Sequence, residues 1–181
     1  MHTPERDYPV LFGTTRVKWA PIDVQFKLLA REVDDRLVAR VYVMPFVRDQ
    51  CVVVGFRSGD WGPAGGGLEP GETVLAALER ELREEAGARL VSYTPFGVLR
   101  CHAHGPPYRP HLPHPDYDCL YGYGDVDLVG TPTAPLGEDS AMTVEMMPAK
   151  HAVTFLGDRG RPWEADLYRL AAELRSGRSP T

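Results

Sequence analysis

The clearest pattern of hydrophobic and polar positions lies in the first half of the chain. A run rich in Val, Tyr and Phe extends from Leu37 to Val47, stops at the polar residues 48–50, and resumes from Cys51 to Phe56. β-Branched and aromatic residues favour strands, and a short polar break between two such runs predicts a hairpin. The continuous apolar segment 52–54 predicts a central strand that is covered on both faces.

The pattern then changes to a loop followed by a helix. The segment from Ser58 to Gly71 is rich in glycine and contains proline, which predicts a loop. Thr73 is a suitable N-cap, and a helix is predicted from Thr73 to Ala86, with Gly87 as its left-handed terminating residue. One side of this helix is expected to pack against a sheet through an apolar stripe formed by Leu75, Leu78, Leu82 and Ala86.

Further strands and one further helix are predicted in the second half of the chain. The predicted strands are Val91 to Cys101, Tyr117 to Val129 and the short segment Thr143 to Met147. A helix beginning at Pro162 is predicted from the helical spacing of Trp163, Leu167, Leu170 and Leu174. The segment from Val24 to Val33 has weak periodicity and fits either a helix or the first arm of a hairpin that turns at 34–35.

Composition restricts the classes of function. A chain of 181 residues with 43% hydrophobic and 25% charged residues predicts one folded domain. A net charge of −5 argues against nucleic acid or an anionic membrane as the main partner. The 3 cysteines lack the even spacing of a disulfide scaffold, which predicts a reducing compartment. No basic segment followed by an apolar run opens the chain, so a cytoplasmic location is expected.

Candidate chemistry is concentrated on the predicted helix. Glu81, Glu84 and Glu85 stand at i, i+3 and i+4, so their like charges share one face and repel by a few tenths of a kcal/mol per pair. A solvated acidic face that is partly neutralised by neighbouring arginines is the general alternative. The preceding glycine triplet, 65–67, favours a ligand site because it lets the backbone approach a ligand or turn a carbonyl toward a metal. Oxygen ligands of this kind suit Mg²⁺ or Mn²⁺.

These residues resemble a known motif. The residues that reproduce the spacing of the Nudix box are Gly66, Glu72, Arg80-Glu81-Leu82, Glu84-Glu85 and Gly87. The chain is similar to the Nudix hydrolase family (MutT-like), and the resemblance covers residues 66–88 with one departure, Ala88, where the family has a bulkier aliphatic residue.

The resemblance implies a fold, a domain and an activity. The implied fold is the α/β Nudix fold, a mixed β-sheet sandwiched between helices. A Nudix hydrolase domain would occupy residues 36–175, between an N-terminal extension 1–35 and a flexible tail 176–181. The implied enzyme is a metal-dependent hydrolase that cleaves the diphosphate linkage of a nucleoside diphosphate linked to another moiety. Its partner would be that small molecule, with no nucleic acid or membrane; a homodimer is left open.

The resemblance also implies residue roles. The implied ligands of Mg²⁺ or Mn²⁺ are Glu81, Glu84, Glu85 and, as an additional one, the carbonyl of Gly66. Glu72 and Arg80 are similar to the pair that orients this set. The general base stays open between Glu84, Glu85 and a loop residue. Family members often add a late loop acid, for which Glu138 is the first choice before Asp139 and Glu145; a solvated loop acid is the alternative interpretation.

Other residues are candidates for substrate contacts. Arg57 follows a predicted strand and would reach a phosphate bidentately, although an exposed strand-end arginine fits equally well. The Pro- and His-rich loop from Gly105 to Pro115 carries Tyr108 and Arg109 as candidate base and phosphate contacts. A plain exposed loop, with Tyr108 as a buried or capping aromatic, is the alternative interpretation. Structural zinc is disfavoured in this loop because its histidines and the flanking cysteines lack the usual ligand spacing.

Two other functions use the same fold. A non-catalytic Nudix-fold sensor would bind a nucleotide and regulate a partner, and loss of a box carboxylate would favour it; none is lost. An isoprenoid diphosphate isomerase would need a cysteine facing the metal site, for which Cys51 and Cys101 are the candidates, although each fits a small buried apolar residue better.

Overall fold

The structure of the protein, a computed structural model, describes residues 4–17, 20–30, 33–133 and 141–177. Its helices are α1 (Pro4–Asp7), α2 (Pro9–Gly13), α3 (Val74–Glu81), α4 (Ala149–Asp158) and α5 (Pro162–Arg175), with a 3-10 turn at Asp35–Leu37 and a π-helical turn at Leu82–Ala86. Its strands are β1 (Ile22–Leu28), β2 (Val38–Val47), β3 (Gln50–Phe56), β4 (Trp61–Gly62), β5 (Ala64–Gly67), β6 (Ala88–Leu90), β7 (Thr94–Ala103), β8 (Asp116–Leu128) and β9 (Ala141–Pro148).

The strands form a mixed sheet. Its main path runs β1-β7-β8-β2-β3-β4, while β5 pairs with β2, β6 with β8 and β9 with β3. The β2–β8 pair is parallel and the other pairs are antiparallel. The predicted hairpin of β2 and β3 is confirmed, with Phe46 opposite Cys51 and Val47 opposite Gln50. The central segment 52–54 of β3 is fully buried, as the apolar run predicts.

Hydrophobic cores lie on both faces of the sheet. The helix α3 and the π-helical turn that follows it, residues 74–86, are together called the glutamate helix. On one face of the sheet, its residues Leu78, Leu82 and Ala86 pack with valines of β2 and β3. On the other face, Leu167 and Tyr168 of α5 pack with a cluster that includes residues of α2, α4, β1 and β7. The sheet is therefore sandwiched between helices, and the predicted fold class is confirmed.

Two predictions around the glycine-rich segment are wrong. Residues 58–71 are not one loop, because they contain β4 and β5, and the glycine triplet belongs to β5. Glycine is unfavourable in strands, but here pairing with β2 outweighs that preference. Leu75 is 55% exposed and does not extend the apolar stripe. Its place on the buried side of α3 is taken by Ala77, which is fully buried.

Other elements differ from the predictions in position or partner. The undecided segment 24–33 contains most of β1, which pairs with β7 and is not the arm of a hairpin with β2. β1 lies within the predicted N-terminal extension, yet it is part of the sheet. The helices α1, α2 and α4 were not predicted, whereas α5 begins at Pro162 as expected. Among the described helices, none is both long and apolar enough to cross a membrane.

Ala88 offers a test of packing at the end of the glutamate helix. Ala88 lies in β6, opposite Leu128 of β8. It is 2% exposed and belongs to the same core as Leu82. Because no void is expected in such a core, Ala88→Val should lower the free energy of unfolding by about 1–3 kcal/mol. Urea unfolding measures this change. Ala103→Val, at the partly exposed end of β7, is the matched control and should change stability by less than about 0.5 kcal/mol. A stabilised Ala88→Val variant would reveal a void beneath the helix.

Candidate active site on the glutamate helix

The ends of the glutamate helix are fixed by local interactions. The hydroxyl of Thr73 accepts a hydrogen bond from the Ala76 N–H at 3.3 Å, which is the predicted N-cap. At the other end, Gly87 has φ of 59° and its N–H bonds to the carbonyl of Leu82. A Cβ on Gly87 would overlap the Gly130 carbonyl, so only glycine fits there. The last turn before Gly87 is π-helical, and it carries Glu84 and Glu85.

Glu81 is buried between the helix and β5. Its side chain accepts a hydrogen bond from Arg80 Nη1 at 2.8 Å. A Cβ added to Gly66 would overlap the carboxylate of Glu81, so glycine at this position leaves the space that the carboxylate occupies. Burial raises the pKa of Glu81, and the hydrogen bond from Arg80 opposes that shift.

Glu85 is also buried, and its carboxylate is held by the backbone of β5. Gly65 N–H donates to Glu85 Oε2 at 2.9 Å. Burial raises the pKa of Glu85 to about 8, against the lowering effect of that hydrogen bond. Glu84 is different, since its side chain is 33% exposed and lies 3.6 Å from Arg80 Nη1. The three glutamates therefore comprise two buried carboxylates and one that is open to solvent.

Arg80 connects this set to the preceding segment. Its Nε and Nη2 donate to the two carboxylate oxygens of Glu72 at 2.9 and 3.0 Å, which is a bidentate pair. Nη2 also donates to the Gly67 carbonyl at 3.0 Å. The hydrogen bonds from Arg80 are the main reason why the pKa of Glu72 is lowered. The structure thus brings together Glu72, Arg80 and Glu81, as the motif implies.

The ligand set fits a hard divalent cation in chemistry. Its side-chain donors are carboxylate oxygens on consecutive turns of one helix. They lie beside the backbone of Gly66, where an added side chain would overlap the carboxylate of Glu81. Within the described ranges, no three His, Cys, Asp or Glu side chains lie close enough together to hold a metal ion. Each buried glutamate is instead held by its own donor, Arg80 for Glu81 and Gly65 for Glu85. The three glutamates therefore suit such a cation in the type of ligand atom and in their common position on one helix.

Two of the predicted substrate contacts, Tyr108 and Arg109, lie in the Pro- and His-rich loop. Tyr108 is 83% exposed, and Arg109 lies over its ring and 3.6 Å from Glu69. His111 Nε2 lies at hydrogen-bond distance, 2.9 Å, from the Leu68 carbonyl. The Pro- and His-rich loop therefore packs against the segment that leads into the glutamate helix.

Among the described residues, no hydrogen bond or ion pair joins Arg57 or Glu145 to the three glutamates. Arg57 is exposed after β3, and no hydrogen bond or ion pair joins it to another described residue. Glu138, the first choice for a loop acid, lies outside the described residues, as does Asp139. Glu145 is exposed on β9. Cys51 and Cys101 are buried in the core on the face opposite α3, which agrees with a packing role.

One residue near the site was missed from the sequence. Arg40 lies in β2, partly buried, and its Nε donates to the Tyr42 hydroxyl at 2.6 Å. The available signal was an arginine inside a run of residues predicted to form a buried strand.

Comparison with known proteins identifies the family. A family model described as the NUDIX domain matches residues 36–171. The chain belongs to the Nudix hydrolase family. The predictions of the family, of its fold and of its enzyme class, the Nudix-type diphosphohydrolases, are confirmed at this level.

Individual relatives and solved structures match only part of this chain. The nucleoside triphosphatase NudI of Enterobacter sp. (strain 638) is 37% identical over 79 residues, which span 40% of this chain and 56% of that protein. NudI of Salmonella paratyphi B is 30% identical over 102 residues, or 48% of this chain and 72% of the relative. A NUDIX hydrolase from Nitrosomonas europaea has 17% identity and a TM-score of 0.53, covering 77% of this chain and 88% of that one. This last likeness concerns the fold alone.

The burial of Glu85 predicts a dependence of stability on pH. Its pKa rises from 4.5 to about 8 on folding, so between these values the folded state binds more protons than the unfolded state. The free energy of unfolding must therefore fall as the pH rises through this window. In metal-free protein, Glu85→Gln should remove this decline and be more stable than the wild type at about pH 9, by roughly 1–3 kcal/mol, with little difference near pH 5.

Urea unfolding in the presence of a chelator, repeated across this pH range, measures the effect. Glu79→Gln is the matched control, because Glu79 is exposed on the same helix. It should leave the slope of stability against pH unchanged. Parallel curves for the wild type and Glu85→Gln would contradict the assigned burial of this carboxylate.

Proposed function

We propose that this chain is a metal-dependent hydrolase that cleaves the diphosphate linkage of a nucleoside diphosphate linked to another moiety. The observation that supports this is the burial of Glu81 and Glu85 beside a glycine strand, with Glu84 open to solvent on the same helix. Arg80 compensates for the charge of Glu81, but Glu85 has no ion pair with a described residue, and burying such a carboxylate destabilises a fold unless a cation or a proton compensates for it. A site of this kind is therefore better explained by ligand binding than by stability.

The residues have distinct proposed roles. Glu81, Glu84 and Glu85 would hold the cation, with the carbonyl of Gly66 as a further ligand. Mg²⁺ or Mn²⁺ bound there would offset phosphate charge and lower the pKa of an attacking water. Arg80 positions Glu81 and is itself held by the bidentate pair with Glu72.

A carboxylate is proposed to take the proton of the attacking water, and the candidates are Glu84, Glu85 and Glu138. Burial raises the pKa of Glu85 to about 8, which strengthens its affinity for a proton. Glu84 has the advantage of exposure, since a third of its side chain is open to solvent. Proton uptake is thus assigned to this group of acids and not to a single member.

The class of substrate is proposed from the site and the relatives together. The relatives from Enterobacter and Salmonella carry the name nucleoside triphosphatase. A nucleoside triphosphate is a nucleoside diphosphate linked to one more phosphate, so it falls within the proposed class. Tyr108 is exposed and available to stack on a base, while Arg57 and Arg109 would contact phosphates. The first substrates to assay are therefore nucleoside triphosphates, followed by dinucleotides and nucleoside diphosphate sugars.

Substitution of the exposed and buried glutamates tests the catalytic proposal. Glu84→Gln and Glu85→Gln should each remain folded and lose about 100-fold or more in turnover, because each removes a charge from the proposed ligand set. Turnover is followed by release of phosphate or nucleotide. Glu79→Gln should retain wild-type turnover, since Glu79 points to solvent on the same helix.

Chelation provides an independent test. Hydrolysis should stop after exhaustive removal of divalent metal and return on addition of Mg²⁺ or Mn²⁺. Near-normal turnover in both variants, or hydrolysis that survives chelation, would refute the catalytic assignment. A wild type that binds nucleotide and hydrolyses none of the panel would instead favour the non-catalytic sensor.

The Pro- and His-rich loop is proposed to control substrate choice. It contacts the segment before the glutamate helix through His111 and Leu68 and through Arg109 and Glu69. Replacing residues 105–115 with a short Gly-Ser linker should raise KM or change the ranking of substrates, while kcat for a minimal substrate stays within about tenfold.

Steady-state kinetics on the substrate panel measures both quantities for the loop variant. The metal requirement should not change, because the loop carries none of the proposed ligands. An unchanged KM and ranking would show that the loop has no role in recognition. Complete loss of turnover would place it in the catalytic machinery.

A further inference from the structure

Arg40 is an unusual residue for its position in the sheet. It lies in β2, between β8 and β5, in a strand that is otherwise almost entirely hydrophobic. Charged side chains are rarely enclosed in a protein without a partner of opposite charge. In the part of the chain that the structure describes, no carboxylate lies within ion-pair distance of Arg40. This cation is therefore available for an anion that the described residues do not supply.

One nitrogen of the guanidinium group is hydrogen-bonded, whereas its two terminal nitrogens are not bonded to any described residue. Nε donates to the Tyr42 hydroxyl at 2.6 Å, and the ring of Tyr42 stacks on Tyr121 with centroids 4.9 Å apart. The two terminal nitrogens make no hydrogen bond to any described residue. These terminal groups form the fork with which arginine binds phosphate bidentately. The orientation of the fork is thus set by Tyr42 before any ligand arrives.

The position of Arg40 also relates it to the glutamates. Across the β2–β5 pair, Arg40 is opposite Gly67 and Tyr42 is opposite Gly65. Gly65 is the residue whose N–H holds Glu85. Burial raises the pKa of Glu85 and of Glu81, and the positive charge of Arg40 opposes the shift in both. Arg40 is therefore close enough to act electrostatically on the proposed cation site without pairing with it.

We propose that Arg40 is a substrate-binding residue whose two terminal nitrogens contact a phosphate oxygen of the diphosphate group, with Tyr42 as its positioning residue. This inference rests on the proposed function. When a divalent cation binds the glutamates, it offsets their negative charge and so weakens their electrostatic attraction for Arg40. A diphosphate supplies the replacement, because it has oxygens for the cation on one phosphate and oxygens for an arginine fork on the other.

The alternative role for Arg40 is purely structural, as compensation for the charge of Glu81 and Glu85. The two roles predict different effects on two ligands. A structural role would change the affinity for the metal alone. A substrate-binding role would change the affinity for a diphosphate when metal is already saturating.

The test uses the full chain with Mn²⁺ alone and with α,β-methylene-ADP, a diphosphate that resists hydrolysis, measured by calorimetry. At saturating Mn²⁺, Arg40→Gln should weaken α,β-methylene-ADP binding about 10-fold or more, and Arg40→Lys should recover part of the loss. Tyr42→Phe should weaken it by a smaller factor, because it frees the guanidinium without removing it. Affinity for Mn²⁺ alone should stay within about threefold of the wild type in Arg40→Lys and Tyr42→Phe, which keep the positive charge, and should rise modestly in Arg40→Gln, which removes a cation that acts on the metal site.

Arg36→Gln is the control, since Arg36 is an exposed arginine in the 3-10 turn just before the same strand and pairs with Asp34. It should bind both ligands like the wild type. The Lys and Phe variants provide the measurement if the Gln variant does not fold. Unchanged α,β-methylene-ADP binding in the folded Arg40 variants, a change confined to Mn²⁺, or a wild type that fails to bind α,β-methylene-ADP would overturn the inference. A wild type that binds it through Arg40 but hydrolyses no substrate would overturn the proposed function alone.

Discussion

The close contact between the glycine strand β5 and the glutamate helix is the constraint on which the site depends. At Gly66 a side chain would collide with the carboxylate of Glu81, and at Gly65 the backbone itself holds Glu85. The helix can approach the sheet only because no side chain separates them at this point. Two carboxylates are thereby enclosed where water cannot fully solvate them, and this enclosure raises the pKa of both.

The parts of the fold that were predicted correctly depend on local patterns. The hairpin of β2 and β3, the N-cap Thr73 and the start of α5 at Pro162 each follow from a few neighbouring residues. The errors concern pairing between distant segments. Gly65–Gly67 was predicted as loop because the segment 58–71 is rich in glycine and contains proline, but hydrogen bonds to β2 decide its conformation. β1 was ambiguous for the same reason, since its partner β7 lies about 70 residues along the chain.

The same distinction applies to the candidate site. Glu81, Glu84 and Glu85 were recognisable because their spacing places them on one helix face, and Glu72 and Arg80 because the motif contains both. Arg40 reaches the neighbourhood of these glutamates only through the register between β2 and β5, which no local pattern encodes. The sequence also did not show which carboxylates are exposed and which are buried, because the exposure of Glu84 and the burial of Glu85 depend on how the helix packs.

The π-helical turn at Leu82–Ala86 separates the spacing of the glutamates in sequence from their geometry in space. The bond from Gly87 N–H to the Leu82 carbonyl spans one residue more than a bond in an α-helix does. Glu85 therefore reaches Gly65 from a backbone that is locally wider than the helix before it. A designer who copied the three glutamates onto an ideal α-helix would preserve the motif and misplace the carboxylates. Transplanting this site requires the irregular turn as well as the residues.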